Sequence, residues 1–339
     1  MSRICFILPN KRSASFFRKY IGECVESAGR ALMGPEMVTM NDFFYGLSSA
    51  TQTDQVNLLL ELYGVYKRLN PKAESLDDFI FWGNVILSDF NDVDKYLVKP
   101  EALFTNISDY RKMQDSLSYL DQTQIKAIEQ FISHFSTGGR YKDEFRRIWD
   151  MLLPLYRGFN EVLEQKGLSY EGMVYRRVAE RLDAESVRDI ISEKYPFIDR
   201  FVFVGLNALN KCEHKLLSKM RNAHVAEFCW DYSSQWIRNN DNRSSSFLED
   251  NIKSFGQCFA LDQDGLGVPK INVLSVPSSV GQAKQLPDIL ERLGASGMET
   301  AVVLPDEGLL VPVLNSIPHG YQCYHGVSYA FECIMDAYE

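Results

Sequence analysis

Short apolar runs that alternate with helical patterns are the feature that most constrains the fold of this 339-residue chain. Each run is rich in β-branched and aromatic residues, and each is followed by apolar residues that recur at helical spacing. Strands that are apolar on both faces are typical of parallel sheets covered by helices. The predicted strands are residues 4–8, 37–40, 201–204, 225–230, 271–276 and 300–304. This order predicts an α/β fold with a parallel sheet.

Between residues 50 and 192 no strand pattern occurs, and we expect an all-helical block there. Ser75 is expected to cap one helix, with Asp78 at the third position. Pro154 is expected to kink the last long helix, and Gly167 to end it. The apolar faces are predicted to contain Val56, Leu59, Leu60, Tyr63 and Tyr66, then Phe79, Trp82, Ile86 and Phe90, then Phe145, Ile148, Leu152, Leu155, Phe159 and Val162.

The same patterns predict how the chain divides into domains. Residues 1–49 and 195–262 are expected to form one split α/β lobe, with residues 50–194 as a helical insertion. A Gly- and Asp-containing stretch, residues 261–270, is interpreted as a linker. Residues 268–317 are expected to begin a second α/β lobe.

Composition limits the classes of function. The hydrophobic content of 45% and charged content of 24% are those of an ordinary globular protein, and no apolar run is long enough to span a membrane. Seven scattered cysteines without a CxxC pair favour a reducing cytoplasm. A protein that binds nucleic acid alone is usually basic. With a net charge of −9, any such role requires a local basic patch or a partner subunit.

The order of several segments resembles that of UvrD-type superfamily-1 helicases, whose P-loop-NTPase lobe carries a helical insertion. "FILPNKRSASFF" is similar to their motif Ia, "KGLSYEGMVYRRVAERL" to the helix before motif II, and "FCWDYSSQW" to motif III. The wording of "FVGLNALNKCEH" and "VLPDEGLLVPVLNSIP" is closest to AddB/RexB-like subunits of the PD-(D/E)XK nuclease family. The resemblance covers about residues 1–317.

The chain departs from the UvrD-type helicases in the motifs with which those enzymes hydrolyse ATP. Hydrolysis needs a phosphate loop with a lysine and an acid that holds Mg²⁺. No GxxxxGK[ST] occurs, and Gly205 and Leu206 occupy the place of the motif II Asp-Glu pair. Gln235 follows Asp231 by four residues, where motif III has three. We therefore expect no catalysis, no ATP and no Mg²⁺ in this chain.

The resemblance implies two contacts with single-stranded DNA. Asn10, Lys11 and Arg12 correspond to motif Ia, at the end of a predicted strand and the start of a helix; the alternative is a solvated turn with a helix cap. The second contact, in the motif III-like segment, would contain Asp231, Tyr232, Gln235 and Trp236. There Tyr232 or Trp236 could stack on a base, whereas Trp230 is expected in the core.

Other reactive residues are given structural roles. Asp89, Asp92 and Asp94 lack the spacing of a calcium loop and are expected to be caps and surface acids. His134, His214 and His224 have no partners at ligand spacing, and His214 is expected on a helix surface. Cys5, Cys24, Cys229 and Cys258 are expected to pack as small apolar groups.

Taken with the resemblance, these features predict a non-catalytic, cytoplasmic module of a DNA end-processing complex. It would guide single-stranded DNA, weakly when alone, and dock an active UvrD-like helicase–nuclease subunit, without contacting a membrane. The alternatives are a purely structural adaptor, an active DNA-dependent ATPase with an unfamiliar phosphate loop, and an unrelated nucleotide-sugar or cofactor enzyme. The sequence contains no GxGxxG motif, which argues against the third alternative.

Residues 318–339 show neither strand nor helix periodicity. One nucleotide skipped at the His319 codon would permit "MDINVTMGYPM", which resembles the family at this point. We expect a frameshifted tail here, with the nuclease domain of full-length relatives missing from the chain; resequencing the locus would test this.

Overall fold

The computed structural model describes residues 3–29, 33–105, 139–230, 246–258, 270–294, 300–304 and 306–317. The chain divides into two compact units, Met1–Gly265 and Leu266–Glu339. In chain order the first unit contains β1 (Ile4–Leu8), α1 (Lys11–Ser27), β2 (Glu36–Thr39), α2 (Met40–Gly46), β3 (Thr51–Gln52), α3 (Gln55–Leu69), α4 (Leu76–Lys95), α5 (Pro100–Thr105), α6 (Gly139–Gln165), β4 (Leu168–Ser169), α7 (Glu171–Ala184), α8 (Val187–Lys194), β5 (Arg200–Val204), α9 (Lys211–Asn222), β6 (Ala226–Cys229) and α10 (Ser246–Phe255). Among the described helices, none combines the length and the apolar character needed to cross a bilayer.

A small parallel sheet lies at the centre of the first unit. Its strand order is β2-β1-β5-β6, and each neighbouring pair is parallel. The four strands coincide with the first four predicted apolar runs, so the predicted α/β class with a parallel sheet is confirmed. The short length of the strands, four or five residues each, fits their role as a buried platform under the helices.

Helices cover both faces of this sheet. Along β1, alternate side chains point to opposite faces. The Phe6 ring lies 4.9 Å from the Phe17 ring of α1, on one face. Cys5 and Ile7, on the other face, belong to the same buried core as Leu216 of α9. Therefore α1 and α9 lie on opposite sides of the sheet.

The larger core lies on the α9 face. The Phe43 ring of α2 is 5.5 Å from both the Tyr195 and Phe201 rings, and the Phe44 ring stacks on Tyr175 of α7 at 3.8 Å. Helices α7 and α8 also contribute buried residues to this core. Residues 171–194, which the sequence pattern places in the helical insertion, thus contribute to the core that covers the sheet.

A second core joins α3, α4, α5 and α6. The predicted Ser75 cap is confirmed, because its hydroxyl accepts a hydrogen bond from the Asp78 amide at 3.4 Å. Helix α6 continues through Pro154 and ends before Gly167, whose φ of +66° suits a glycine C-cap. The expectation of a strand-free block is wrong in one place, since β3 and β4 pair in parallel over two residues.

Three residues predicted on buried helix faces are exposed instead: Val56 by 67%, Leu60 by 46% and Trp82 by 58%. At Trp82 the exposure follows from the close approach of α3 to α4 at Gly83. A Cβ atom there would lie 2.4 Å from a methyl carbon of Leu59. The contact is centred on Gly83, and the adjacent Trp82 side chain is left facing solvent.

The second unit contains α11 (Ser279–Lys284), α12 (Leu286–Leu293), a 3-10 turn (Glu307–Leu309) and α13 (Leu310–Leu314). The predicted strands at residues 271–276 and 300–304 are wrong: neither run forms a ladder, and Val273 is 90% exposed. An apolar run becomes a strand only when a neighbour accepts its backbone hydrogen bonds. Within the described part of this unit, the two runs do not provide such a partner for each other.

Candidate functional site at the carboxyl edge of the sheet

The connectivity of the sheet places a switch point between β1 and β5 at its carboxyl edge. From β1 the chain passes through α1 to β2 on one side, and from β5 it passes through α9 to β6 on the other. The strand order therefore reverses between β1 and β5. In open α/β sheets ligands bind at this point, outside the carboxyl ends of the strands. The loops that flank it are residues 9–10 and 205–210.

The β1 loop brings Asn10, Lys11 and Arg12 to this edge. Asn10 is extended, and its side-chain oxygen accepts a hydrogen bond from the Ser13 amide at 2.8 Å, which makes it the cap of α1. Lys11 and Arg12 form the exposed first turn. Acids normally occupy such turns because the helix dipole is positive there, and α1 has none. The first turn of α1 therefore contains two basic residues and no acidic one.

The β5 loop carries no carboxylate. Gly205 has a φ of +69°, in the left-handed region that side chains disfavour, and its amide donates to the Cys229 carbonyl at 3.0 Å. Leu206 is buried in the larger core. An acid at position 205 would be strained, and one at position 206 would be buried among apolar groups.

The start of α9 closes the loop through a capping box. The Asn210 side chain accepts from the Glu213 amide at 2.9 Å, and the Glu213 carboxylate accepts from the Asn210 amide at 2.9 Å. Burial raises the pKa of Glu213, and the hydrogen bond from the Asn210 backbone partly opposes that rise. This carboxylate therefore serves the helix end and is already bound to backbone.

Two polar residues at this edge were not predicted. The amide oxygen of Asn41, in the first turn of α2, is buried and accepts no hydrogen bond from the described residues. Asn251 of α10 donates to the carbonyl of Asn207 at 2.6 Å and so holds the β5 loop. For Asn41 the sequence signal was its position directly after a strand. For Asn251 no local signal exists, because its partner lies 44 residues away.

The second predicted contact, Asp231, Tyr232, Gln235 and Trp236, lies outside the described residues. Trp230, just before it, is buried as predicted, and its indole N–H donates to the Gly256 carbonyl at 2.8 Å.

The cysteine prediction holds only in part. Cys5 is buried, whereas Cys24 and Cys258 are exposed, so packing as small apolar groups is wrong for those two. The Cys229 and Cys258 sulfur atoms lie 3.0 Å apart. Burial and this neighbour raise the pKa of Cys229 far above its ordinary value.

One acid of the α4 end differs from expectation, whereas Asp89 and Asp92 are exposed as predicted. Asp94 was predicted to be a cap or surface acid, but its side chain is fully buried and pairs with Arg176 at 2.6 Å. The local pattern could not reveal this, because Arg176 comes from α7, 82 residues later. Within the described residues, no group of three or more His, Cys, Asp or Glu side chains is arranged to hold a metal ion.

Compared with known proteins, the chain matches no protein-family model and no curated sequence.

Proposed function

We propose that this chain is a non-catalytic, helicase-like module of an ATP-dependent helicase–nuclease complex that processes DNA ends. Its task would be to guide single-stranded DNA and to dock an active UvrD-like subunit. The observation that carries the proposal is the carboxyl edge of the sheet, where Lys11 and Arg12 start α1 and the loop of residues 205–210 has no acid.

The charge at this edge favours a phosphate oxygen as the ligand. Helix N-terminal N–H groups and nearby cations bind phosphate. A nucleotide-hydrolysing site would also need a phosphate-loop lysine and an acid for Mg²⁺. The β5 loop offers Gly205 and Leu206 in that place. A backbone phosphate of DNA requires only the cations, which are present.

The overall charge supports a role within a complex. At −9 the chain repels nucleic acid at long range, so a few cations alone give weak binding. An active partner subunit would supply the remaining affinity and the energy of ATP hydrolysis.

DNA binding can be tested by fluorescence anisotropy with a labelled oligothymidylate at several salt concentrations. We expect weak binding that falls steeply with salt. The salt slope is the slope of the logarithm of the binding constant against the logarithm of the salt concentration. In the variant Lys11→Ala/Arg12→Ala this slope should become shallower by about 1.4, since each lost phosphate contact to a single strand contributes about 0.7. The control Lys67→Ala/Lys72→Ala removes the same charge from the exposed end of α3 and the turn after it, and should bind as the wild type. Absence of salt-sensitive binding, or an unchanged Lys11→Ala/Arg12→Ala variant, would contradict the proposal.

The non-catalytic role has a separate test. Purified chain, incubated with Mg²⁺-ATP and single-stranded DNA, should release no phosphate above a protein-free blank. DNA-stimulated turnover would overturn the proposal in favour of an active ATPase. Stable co-purification with a UvrD-like subunit, but no DNA contact by this chain in a cross-linking experiment, would favour a structural adaptor.

A further inference from the structure

A basic groove runs along the outer face of α9, away from the sheet. It encloses about 440 Å³, and its floor is formed by Lys211, Lys215 and Lys219, with Leu97 from the turn after α4 on one wall. The inward face of α9 is apolar and buried, and includes Leu216. The lysines therefore occupy the solvent side of a helix whose position the core fixes.

The charge of the groove is only partly balanced. Lys215 donates to Asp183 of α7 at 2.7 Å. Lys211 and Lys219 have no carboxylate oxygen within 4.0 Å among the described residues. The hydrogen bond and charge of Lys215 and the charge of Lys219 lower the pKa of Asp183, so this acid lies near two of the three lysines. The groove thus keeps a net positive charge.

The spacing of the lysines suits a repeating anion. They occur at every fourth position, so each is about 6 Å further along the helix axis than the last. This rise is close to the distance between successive phosphates of an extended nucleic-acid strand. Side chains four residues apart also lie on nearly the same helix face.

Two further groups favour a nucleic acid over a simple polyphosphate. The exposed His214 ring lies between the first two lysines in sequence and is held 5.0 Å from the Phe255 ring. Leu97 adds an apolar surface. Histidine rings and apolar side chains can pack on unpaired bases, a contact that inorganic phosphate cannot make.

We propose that this groove binds the phosphodiester backbone of a single-stranded nucleic acid, as a second contact that continues from the carboxyl edge along α9. Helix α9 begins at that edge, directly after the β5 loop. The inference rests on the proposed function and deepens it, because it gives the strand a path beyond Lys11 and Arg12.

The test compares paired variants of the full chain in the same anisotropy assay. Lys211→Ala/Lys219→Ala removes two cations and leaves the Lys215–Asp183 pair intact. Its salt slope should be shallower than that of the wild type by about 1.4. Lys211→Arg/Lys219→Arg keeps the charge and should restore the slope, and Lys67→Ala/Lys72→Ala should match the wild type. Circular dichroism melting curves confirm that each variant is folded.

The outcomes separate the two proposals. If Lys11→Ala/Arg12→Ala weakens binding but Lys211→Ala/Lys219→Ala binds as the wild type, the groove inference is overturned and the proposed function stands. If the wild type shows no salt-sensitive binding, the proposed function is overturned, and the groove inference that rests on it is overturned as well. Inorganic tripolyphosphate that competes as well as unlabelled oligothymidylate, at equal phosphate concentration, would overturn the assignment of a nucleic acid to the groove.

Discussion

At the scale of single residues, the Asp94 carboxylate joins α4 to α6, to α7 and to the turn before α7. It accepts hydrogen bonds from the Tyr156 hydroxyl at 2.5 Å, from the Tyr170 hydroxyl and from Arg176 Nε at 2.6 Å. Arg176 in turn donates to the carbonyl of Val98 at 2.6 Å. Burial and the charge of Asp94 raise the pKa of both tyrosines, which keeps them protonated as donors. Every oxygen of the carboxylate is therefore used.

We predict that Asp94→Asn destabilises the protein by about 3–5 kcal/mol, because it leaves the half-buried Arg176 guanidinium without its counter-charge. The amide nitrogen would also face a hydroxyl donor. Urea unfolding followed by circular dichroism gives the free energy of unfolding. The control Asp92→Asn, at an exposed position two residues earlier, should change it by less than about 0.5 kcal/mol. A loss below about 1 kcal/mol in Asp94→Asn would show that the pair is dispensable.

The residue-scale features differ in how well the sequence predicts them. Asn10 and Ser75 were predictable caps because a cap and the amide it binds lie three residues apart. Asp94 was not predictable as a buried acid, since its partners come from α6, α7 and the turn before α7. Local chemistry can be deduced from spacing, whereas burial depends on which helices meet.

At the scale of elements, β6 is an edge strand whose open side is protected by residues 256–258. The Cys258 amide donates to the Phe228 carbonyl at 2.9 Å, and the Gln257 side chain exchanges two hydrogen bonds with the Trp230 backbone. Covering an edge in this way prevents pairing with another chain. The same pairing places the Cys229 and Cys258 sulfurs 3.0 Å apart.

We predict that glutathione disulfide converts Cys229 and Cys258 to an intramolecular disulfide. The exposed Cys258 thiolate attacks glutathione disulfide and releases one glutathione; the Cys229 thiol then loses its proton, attacks the Cys258 sulfur and releases the second. Mass spectrometry should show the loss of two hydrogens and a peptide joining the two cysteines. Cys24→Ser should still form the bond, and Cys258→Ser should not. A wild-type chain that only accumulates glutathione adducts would contradict the prediction.

The strands were predictable from the sequence where an apolar run has a neighbouring strand with which to pair. The runs at residues 4–8 and 201–204 became strands because each found a parallel neighbour. The equally apolar run at residues 271–276 did not, since a strand is defined by its partner. On α9 the four-residue spacing of the lysines was visible in the sequence, but the groove also needs Leu97 from a distant turn.

At the scale of the whole molecule, burial is concentrated in the first unit. Both hydrophobic cores draw only on residues within Met1–Gly265. In the described part of the second unit the buried apolar residues are Ala283, Leu290 and Val313. Apolar residues such as Ile271 and Val303 are largely exposed there. Among the described residues, the apolar burial that stabilises the fold therefore lies mainly in the first unit.

This distribution predicts that residues 1–265 fold alone. Thermal melting followed by circular dichroism should show one cooperative transition within a few degrees of the full chain, because no core residue is lost. The matched piece, residues 266–339, should show no cooperative transition, since small domains with few buried side chains lack the apolar burial that offsets conformational entropy. Cooperative melting of residues 266–339, or failure of residues 1–265 to fold, would mean that stability depends on contacts beyond the two cores. Because Lys11, Arg12 and the α9 lysines all lie in residues 1–265, the salt-dependent DNA binding that we propose for the full chain should also be measured with this piece alone.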